Sequence, residues 1–515
     1  MKTKSAFLSL VFILFLNFFV WFKSLTLDFY NDDYQMLGFA QENFSAYPLN
    51  VFLIKDVSNY YFRPIPNLLI TLFFNAFGYH PLPFRLLNFL LYLSLIFTIF
   101  FFFLRLFQNE RTAFLSTILF SLLPSHDLYL VWIASIGDIL ATLFLLLAFH
   151  FILFSKKTSS LMFAILFFVL SCLSKESTLP LPFLAVSLAF LYPEKKETLC
   201  RFAFVSISVL ALLFLFRQFV LGINIFASPN VQNFDLPTSL LNFFLYPFGL
   251  VIPTFAFSSE NSLGIILNFI FFISLSTIFL FYALNIKEKN WKTIWLGLLW
   301  YFWLILPALP LFMRWYILLP SIGLFIIITE MLQHIKIKYF VSFLTPILII
   351  LLVVDYYSIS GWKKANNFAQ KILLETSFLK TYPQRKILLW FFPQYYNNYP
   401  ILRSGIQQAI NFNRNEKFEE VLLPISIVFA QNSKIELVQT DNNSFTFKVF
   451  APRVFLAARN ESISNEKVTV NDYYRLRIAP TTNPKEYLVF VQFLRDKAEY
   501  KNFYFDGTNF RKLEY

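Results

Sequence analysis

The chain is short of cysteine, histidine and charge. Its two cysteines, Cys172 and Cys200, have no CxxC spacing, which leaves neither a disulfide framework nor a cysteine-based zinc site. Four histidines without an HExxH pattern argue against a zinc metalloprotease. Charged residues make up only 14% of the chain, well below the roughly 25% of soluble domains. No helical repeat of solenoid length is present. No small-x-small cleavage site follows MKTKSAFLSLVFILFLNFFVWF, so this stretch is expected to be an uncleaved first span and not a removed signal peptide.

What is present is apolar. Of 515 residues, 57% are hydrophobic and 21% aromatic. Many apolar runs reach about 20 residues, the length that crosses a bilayer. The sequence therefore reads as an all-α polytopic membrane protein of about eleven transmembrane helices. The spans are expected near 5–22, 84–105, 110–124, 138–154, 159–174, 178–192, 200–221, 262–284, 292–311, 314–334 and 338–357. PIPNLLITLFFNAFG (64–78) is apolar but short and bracketed by prolines, and it reads as a helix lying in the membrane interface.

Charge density changes near Trp362. Residues 1–360 hold 21 Lys+Arg and 16 Asp+Glu, whereas the much shorter 361–515 holds 22 and 14. The chain thus divides into a membrane domain, 1–360, and a soluble domain, 361–515. The latter opens with a helical pattern, WKKANNFAQKILLETSFL. Strand-like segments follow: KIELVQT, SFTFKVF, PRVFLAAR, EYLVFVQFL and KNFYFDG. A small α+β or mostly β domain is expected.

The net charge of +13 does not imply nucleic acid, because orientation in a membrane accounts for much of it. With the N-terminus in the cytoplasm, most basic residues of the first domain face inside, Lys2, Lys4, Arg105, Arg111, Lys195, Lys196 and Arg201 among them. An odd number of spans then puts the C-terminal domain on the extracytoplasmic side of the cell membrane. Many acids face outside, including Asp28, Asp32, Asp33, Glu42, Asp56, Asp127, Asp138, Glu176, Asp235 and Asp355. The orientation rule ignores acids, so topology does not require this. A mixed-sign outer face at the membrane edge is what a polar site there would look like.

Individual residues sharpen that reading. Asp32 and Asp33, in FYNDDYQMLGFA, follow the first span directly. Adjacent carboxylates repel, which raises the pKa of one and suits it to act as a general base; a solvated loop start explains the pair equally well. Arg63, in YYFRPIPNL, can grip a phosphate bidentately or contact lipid headgroups. His126, Asp127 and Asp138 lie in PSHDLYLVWIASIGDILATLF at the outer ends of spans, where polar groups are costly unless they line a polar cavity. Asp138 fits a helix cap as well as a substrate role. Lys175 and Glu176, in SKEST, fit either membrane-edge anchors or a phosphate site. Arg314, in LFMRWYILLPSIG, begins a span. Outer cations around an outer carboxylate pair suit a lipid-linked, phosphorylated substrate.

At this point the chain resembles the GT-C superfamily of polyprenyl-phosphate-sugar glycosyltransferases, and within it the protein O-mannosyltransferase branch, including the transmembrane-and-TPR O-mannosyltransferases. The matching pieces are NDDYQMLGF, YYFRPIPNLLITLFFNAFGYHPLPFRLLNFLLYL, LPSHDLYLVWIASIGDILATLF, SKESTLPLPF and MRWYILLPSIG, in the family's order and covering most of residues 1–360. The resemblance implies an inverting transfer from a polyprenyl-phosphate monosaccharide to an extracytoplasmic acceptor, which is a protein, a glycan or a lipid. It implies a catalytic base at Asp32 or Asp33 and a donor-phosphate role for Arg63, Lys175 and Arg314. His126, Asp138 and Glu176 match motif positions as candidates for the substrate cavity. The partners implied are the lipid-linked donor, the acceptor and membrane lipids, with no nucleic acid. No cofactor is implied, since such donors do not oblige a metal; the Asp pair is the one place a divalent ion would suit. The TPR array is missing, so a protein acceptor is not implied. The competing reading is a transporter or flippase of an envelope component. It predicts internal repeats with paired broken helices near the midplane, and no convincing repeat is found. A non-catalytic membrane scaffold is a third reading, under which substituting Asp32 or Asp33 would have no effect.

Overall fold

A computed structural model describes residues 2–513 except 57–59, 156–158, 225–233, 252–272, 274–276, 278–289, 335–336, 382–385, 415–419, 442–443, 457–460, 463–465, 471–472, 484 and 495–499. The expected span 262–284 lies almost wholly outside the described residues. The helices are α1 (Lys2–Trp21), α2 (Asp32–Asn43), α3 (Pro64–Phe77), α4 (Pro81–Phe107), α5 (Glu110–Ser121), α6 (Asp127–Val131), α7 (Ile136–Phe154), α8 (Ser160–Ser174), α9 (Leu181–Leu191), α10 (Lys196–Leu215), α11 (Leu236–Gly249), α12 (Trp291–Ile305), α13 (Leu318–Leu332), α14 (Ile337–Glu375) and α15 (Ile406–Arg414).

Among the described residues, five helical stretches are long and apolar enough to cross a membrane: Lys4–Thr26, Pro81–Phe107, Ile133–Phe154, Pro193–Val220 and Thr345–Leu379. The bent pair Glu110–Ser121 and Pro124–Val131, 56° apart, makes a sixth if counted as one span. The stretches expected as spans at 159–174, 178–192 and 314–334 form shorter apolar helices, Ser160–Ser174, Glu176–Leu191 and Leu318–Leu332. The chain is a multi-pass membrane protein with a β-sheet domain at its C-terminal end.

Local sequence starts and stops these helices. Asn109, Asp235 and Asn290 each stand three residues before a threonine, and each side chain accepts the N–H of that threonine, at 3.1, 2.9 and 3.3 Å. These caps satisfy one of the orphan donors at the starts of α5, α11 and α12. Proline opens α3 and α4, where its missing N–H costs nothing. Gly78, at φ 57°, closes α3 with its N–H 2.7 Å from the Phe74 carbonyl. Between α12 and α13, Gly297 and Gly323 face one another so closely that a Cβ on either would lie 2.5 Å from the other's carbonyl oxygen. Small residues at such a crossing let helix backbones meet inside a membrane.

The chain divides into two compact units. One comprises Met1–Leu27 and Phe39–Ser360; the other comprises Asp28–Gly38 and Gly361–Tyr515. The helical pattern expected at 362–379 forms the later part of α14, up to Glu375, and then a 3-10 helix, Thr376–Thr381; α14 runs without a break through Trp362. No proline or glycine cluster interrupts it there, so an apolar helix continues directly as an amphipathic one.

The second unit carries β1 (Lys386–Trp390), β2 (Phe392–Tyr396), β3 (Tyr399–Pro400), β4 (Glu420–Leu422), β5 (Ile425–Phe429), β6 (Lys434–Asp441), β7 (Ser444–Phe450), β8 (Arg453–Leu456), β9 (Glu461–Ser462), β10 (Lys467–Val470), β11 (Tyr474–Pro480), β12 (Glu486–Phe493), β13 (Tyr500–Phe505) and β14 (Phe510–Lys512). Their sheet orders are β14-β13-β1-β4, β10-β11-β12-β7-β6 and β3-β2-β5-β8-β9. In SFTFKVF, β7, every second residue is buried, the alternation expected of a half-buried strand. Each of the five predicted strand segments contains a strand. β1 pairs in parallel with both β13 and β4, whereas the sheet holding β10, β11 and β12 is antiparallel throughout.

Candidate functional site

In the first unit, a group of buried and half-buried charges gathers where α3, α7 and α8 meet. Gly137, at the start of α7, makes that meeting possible. A Cβ there would lie 3.0 Å from the Ser174 carbonyl oxygen and 3.3 Å from Pro66 Cγ. After Ser174 the backbone leaves the helix, with Lys175 extended at φ −162° and ψ 142°. Lys175 and Glu176 then find different partners. The Lys175 ammonium donates to both carboxylate oxygens of Asp138, at 2.7 and 2.6 Å, and sits 5.1 Å above the Tyr316 ring. Arg63, just before α3, donates from Nε to Glu176 Oε2 at 2.9 Å and from Nη2 to Glu176 Oε1. Its guanidinium lies 4.3 Å from the centre of the Tyr61 ring. Burial disfavours the Arg63 charge, and the Glu176 carboxylate more than offsets that, so its pKa is raised.

Arg314 occupies a second buried position in the same unit. Its Nη2 donates to Asp127 Oδ1 at 2.6 Å, and Ser358 Oγ donates to Asp127 Oδ2 at 2.6 Å. The Tyr129 hydroxyl donates to the carbonyl of Trp315 at 2.6 Å, tying the α6 segment to the Arg314 turn. α4 holds α6 from the other side, with Arg85 donating to the Val131 carbonyl and Asn88 to that of Trp132 at 2.7 Å. His126 is fully buried beside Phe120, with Nδ1 2.9 Å from the Tyr92 hydroxyl.

The structure thus brings Arg63, Lys175, Asp138 and Glu176 to one helix junction, and gives each of the three cations a carboxylate partner. Asp138, open in sequence between a cap and a substrate role, is the partner of Lys175. Tyr316 and Ser358 join these groups with no sequence signal of their own, except that Tyr316 lies in the MRWY motif. Among the described residues, no group of three or more His, Cys, Asp or Glu side chains could hold a metal ion.

Asp32 and Asp33 belong to the second unit. Asp33 is 1% exposed, and its Oδ2 lies 3.5 Å from the Tyr30 N–H, whose carbonyl in turn accepts the Asp33 N–H at 3.3 Å. Asp32 is half-buried. Burial raises its pKa above the usual carboxylate value, against the opposing pull of a Ser404 hydrogen bond and the Arg403 charge. Arg403 and Ser404 are not legible as site residues from sequence, since nothing in YPILRSGIQQA has a motif.

No protein-family profile and no curated protein matches the chain. Among solved structures, it is similar to the crystal structure of ArnT from Cupriavidus metallidurans bound to undecaprenyl phosphate. The identity is 11% and the TM-score 0.49, over 80% of this chain and 85% of that one.

Proposed function

We propose that this protein is a membrane glycosyltransferase that moves a sugar, with inversion, from a polyprenyl-phosphate monosaccharide to an acceptor outside the cytoplasm. The observation that carries the reading is the cation group of the first unit, with buried Lys175 and half-buried Arg63 at one helix junction and Arg314 in a second, buried pair. Buried cations in a membrane protein are costly and mark functional positions. A lipid-linked phosphate is a substrate that needs both an apolar surface for its tail and cations for its head.

In the proposed reaction, the acceptor hydroxyl oxygen attacks the anomeric carbon and the C1–O bond to phosphate breaks. Polyprenyl phosphate leaves with that bond's electron pair, and a carboxylate takes the hydroxyl proton. Arg63, Lys175 and Arg314 are assigned to the departing phosphate, where fixed cations lower the barrier electrostatically. Asp32 is assigned as the base in preference to Asp33, because the Asp33 carboxylate is turned back to its own backbone. His126, Asp138 and Glu176 act around the substrate through their neighbours. No resident cofactor is assigned. The motif likeness to O-mannosyltransferases makes mannosyl the first donor to test, and the missing TPR array leaves the acceptor as protein, glycan or lipid. The N-terminus is placed in the cytoplasm and the β domain outside.

The deciding experiment incubates purified protein with radiolabelled polyprenyl-phosphate sugars and membrane extract. A labelled product names donor and acceptor together; no label transfer from any such donor would remove the reading.

A further inference from the structure

The acidic pair sits on a strap, Asp28–Gly38, that packs with the C-terminal domain. Its attachments are many. The Asp28 N–H donates to Asn366 Oδ1 at 3.3 Å, and the Tyr30 ring stacks on Trp362 with centroids 5.5 Å apart and planes 9° from parallel. Asn31 takes a left-handed backbone, φ 56°, donating its N–H to the Ile401 carbonyl at 2.8 Å. Its side-chain oxygen accepts the Ser404 N–H at 3.1 Å. The next residue, Gly405, also has positive φ, 69°, and a Cβ there would lie 2.7 Å from the Gln35 nitrogen and 3.1 Å from the Asn31 carbonyl oxygen. Gly38 is equally tight, its Cβ position 2.7 Å from Gln408 Cγ.

The turn Leu402–Gly405 is therefore built against the start of α2, with backbone contacts on both sides and glycine where a side chain would not fit. The same turn presents Ser404 to the Asp32 carboxylate as a hydrogen-bond donor and places the Arg403 charge beside it. Among the described residues, the charge acting on Asp32 is that of Arg403 from this turn; the Asp33 carboxylate is turned to the Tyr30 N–H.

We infer that Arg403 and Ser404 are positioning residues for Asp32, so that the C-terminal domain works as part of the catalytic loop and sets the direction and charge partner of the base. The inference rests on Asp32 being the base. A carboxylate that must accept a proton needs a fixed direction. The Ser404 hydrogen bond and the Arg403 charge both favour its ionised form against burial.

The test has two readouts on the full-length purified protein. The first needs no activity. Asp32→Asn, Arg403→Gln and the double variant are compared by thermal unfolding at pH 8 and at pH 3. Coupling between the two positions is expected at pH 8 and should vanish at pH 3, where Asp32 is protonated. Additive effects at both pH values would overturn the inference. The second is the pH profile of sugar transfer. Arg403→Gln should move the acid limb up by about one pH unit, Arg403→Lys should restore it, and Ser404→Ala should move it in the same direction by at least as much. Uniform loss at every pH, with the acid limb unmoved in both the Arg403 and the Ser404 variants, would also overturn the inference. Coupling without any sugar transfer by the unmodified protein would leave the attachment of Asp32 to Arg403 standing and remove the glycosyltransferase reading.

Discussion

Lys175 and Asp138 meet across 37 residues of chain, with the ammonium nitrogen 2.7 and 2.6 Å from the two carboxylate oxygens. Their side chains are 8% and 10% exposed. The contact joins the end of α8 to the first turn of α7. This cation, like Arg63 and Arg314, already holds a counter-anion.

Removing one member of such a pair leaves a buried charge without a partner. Lys175→Met is expected to destabilise the protein by about 3–5 kcal/mol. Lys175→Met with Asp138→Leu should recover most of that loss, because two apolar groups of similar volume replace the pair. Thermal unfolding in detergent checks both. A double variant no more stable than Lys175→Met would mean the pair holds more than its own two charges. In the proposed reaction, sugar transfer should be lost in both variants, since the double variant regains stability but neither has a cation at position 175 for the phosphate.

Glu176 holds the guanidinium of Arg63 at two points. In the proposed reaction, that carboxylate competes with the donor phosphate for Arg63. Glu176→Gln keeps a hydrogen-bond acceptor but removes the competing charge. Polyprenyl phosphate should then bind severalfold tighter, and Arg63→Ala should bind it at least tenfold more weakly, the loss of about 1.4 kcal/mol or more expected for a charged hydrogen bond. Equilibrium binding of polyprenyl phosphate measures both. Equal affinity in wild type and Arg63→Ala would exclude Arg63 from the phosphate site.

The sequence carries these elements unequally. The spans of α4 and α10 are legible because lipid demands about 20 apolar residues in a row. β7 and β12 are legible because one buried face imposes strict alternation. β1, KILLW, is harder to see: four of its five residues are buried, and a short continuous apolar run has no period to read. The continuity of α14 through Trp362 is also hidden, because a change of composition resembles a boundary. At the candidate site, residue types are visible in the sequence but pairings are not. Arg63, Lys175 and Arg314 stand out as cations near span ends, yet no local pattern says that Glu176, Asp138 and Asp127 neutralise them. Nor does any local pattern attach Asp28–Gly38 to the domain that begins more than 300 residues later; the Asp28–Asn366 contact spans 338 positions.

Gly137 carries the geometry of the cluster. Its missing side chain lets the Ser174 carbonyl and Pro66 approach α7. Gly137→Ala adds a methyl group 3.0 Å from a backbone oxygen, and backbone cannot swing away as a long side chain can. The expected cost is about 1–3 kcal/mol, the range for overpacking, together with reduced transfer because Arg63 and Lys175 are carried by the two elements it pushes apart. Thermal unfolding and donor affinity should fall together. A fully stable Gly137→Ala protein with unchanged donor binding would show that the junction has slack.

Asp32 and Asp33 should separate under substitution. Asp32→Asn preserves shape and removes the proposed base, so transfer at saturating donor should fall by about 10²–10⁴, the usual contribution of general base catalysis, while unfolding is little changed. Asp33→Asn should act chiefly on stability, since its carboxylate is buried against Tyr30. Burial raises the pKa of Asp32 in the folded protein. Its ionised, base-competent form is therefore lost at a higher pH than for an ordinary aspartate. Transfer should decline as pH falls, with a midpoint above about 4, the usual carboxylate value. The sign for stability is opposite to that of a salt-bridged aspartate. A raised folded-state pKa means the native state holds its proton more tightly than the unfolded chain, so Asp32 costs stability above its folded pKa and that cost disappears below the unfolded value. Asp32→Asn should then stabilise the protein slightly at pH 8 and not at pH 3. A flat rate profile down to pH 4, or full turnover in Asp32→Asn, would move the base role away from this residue.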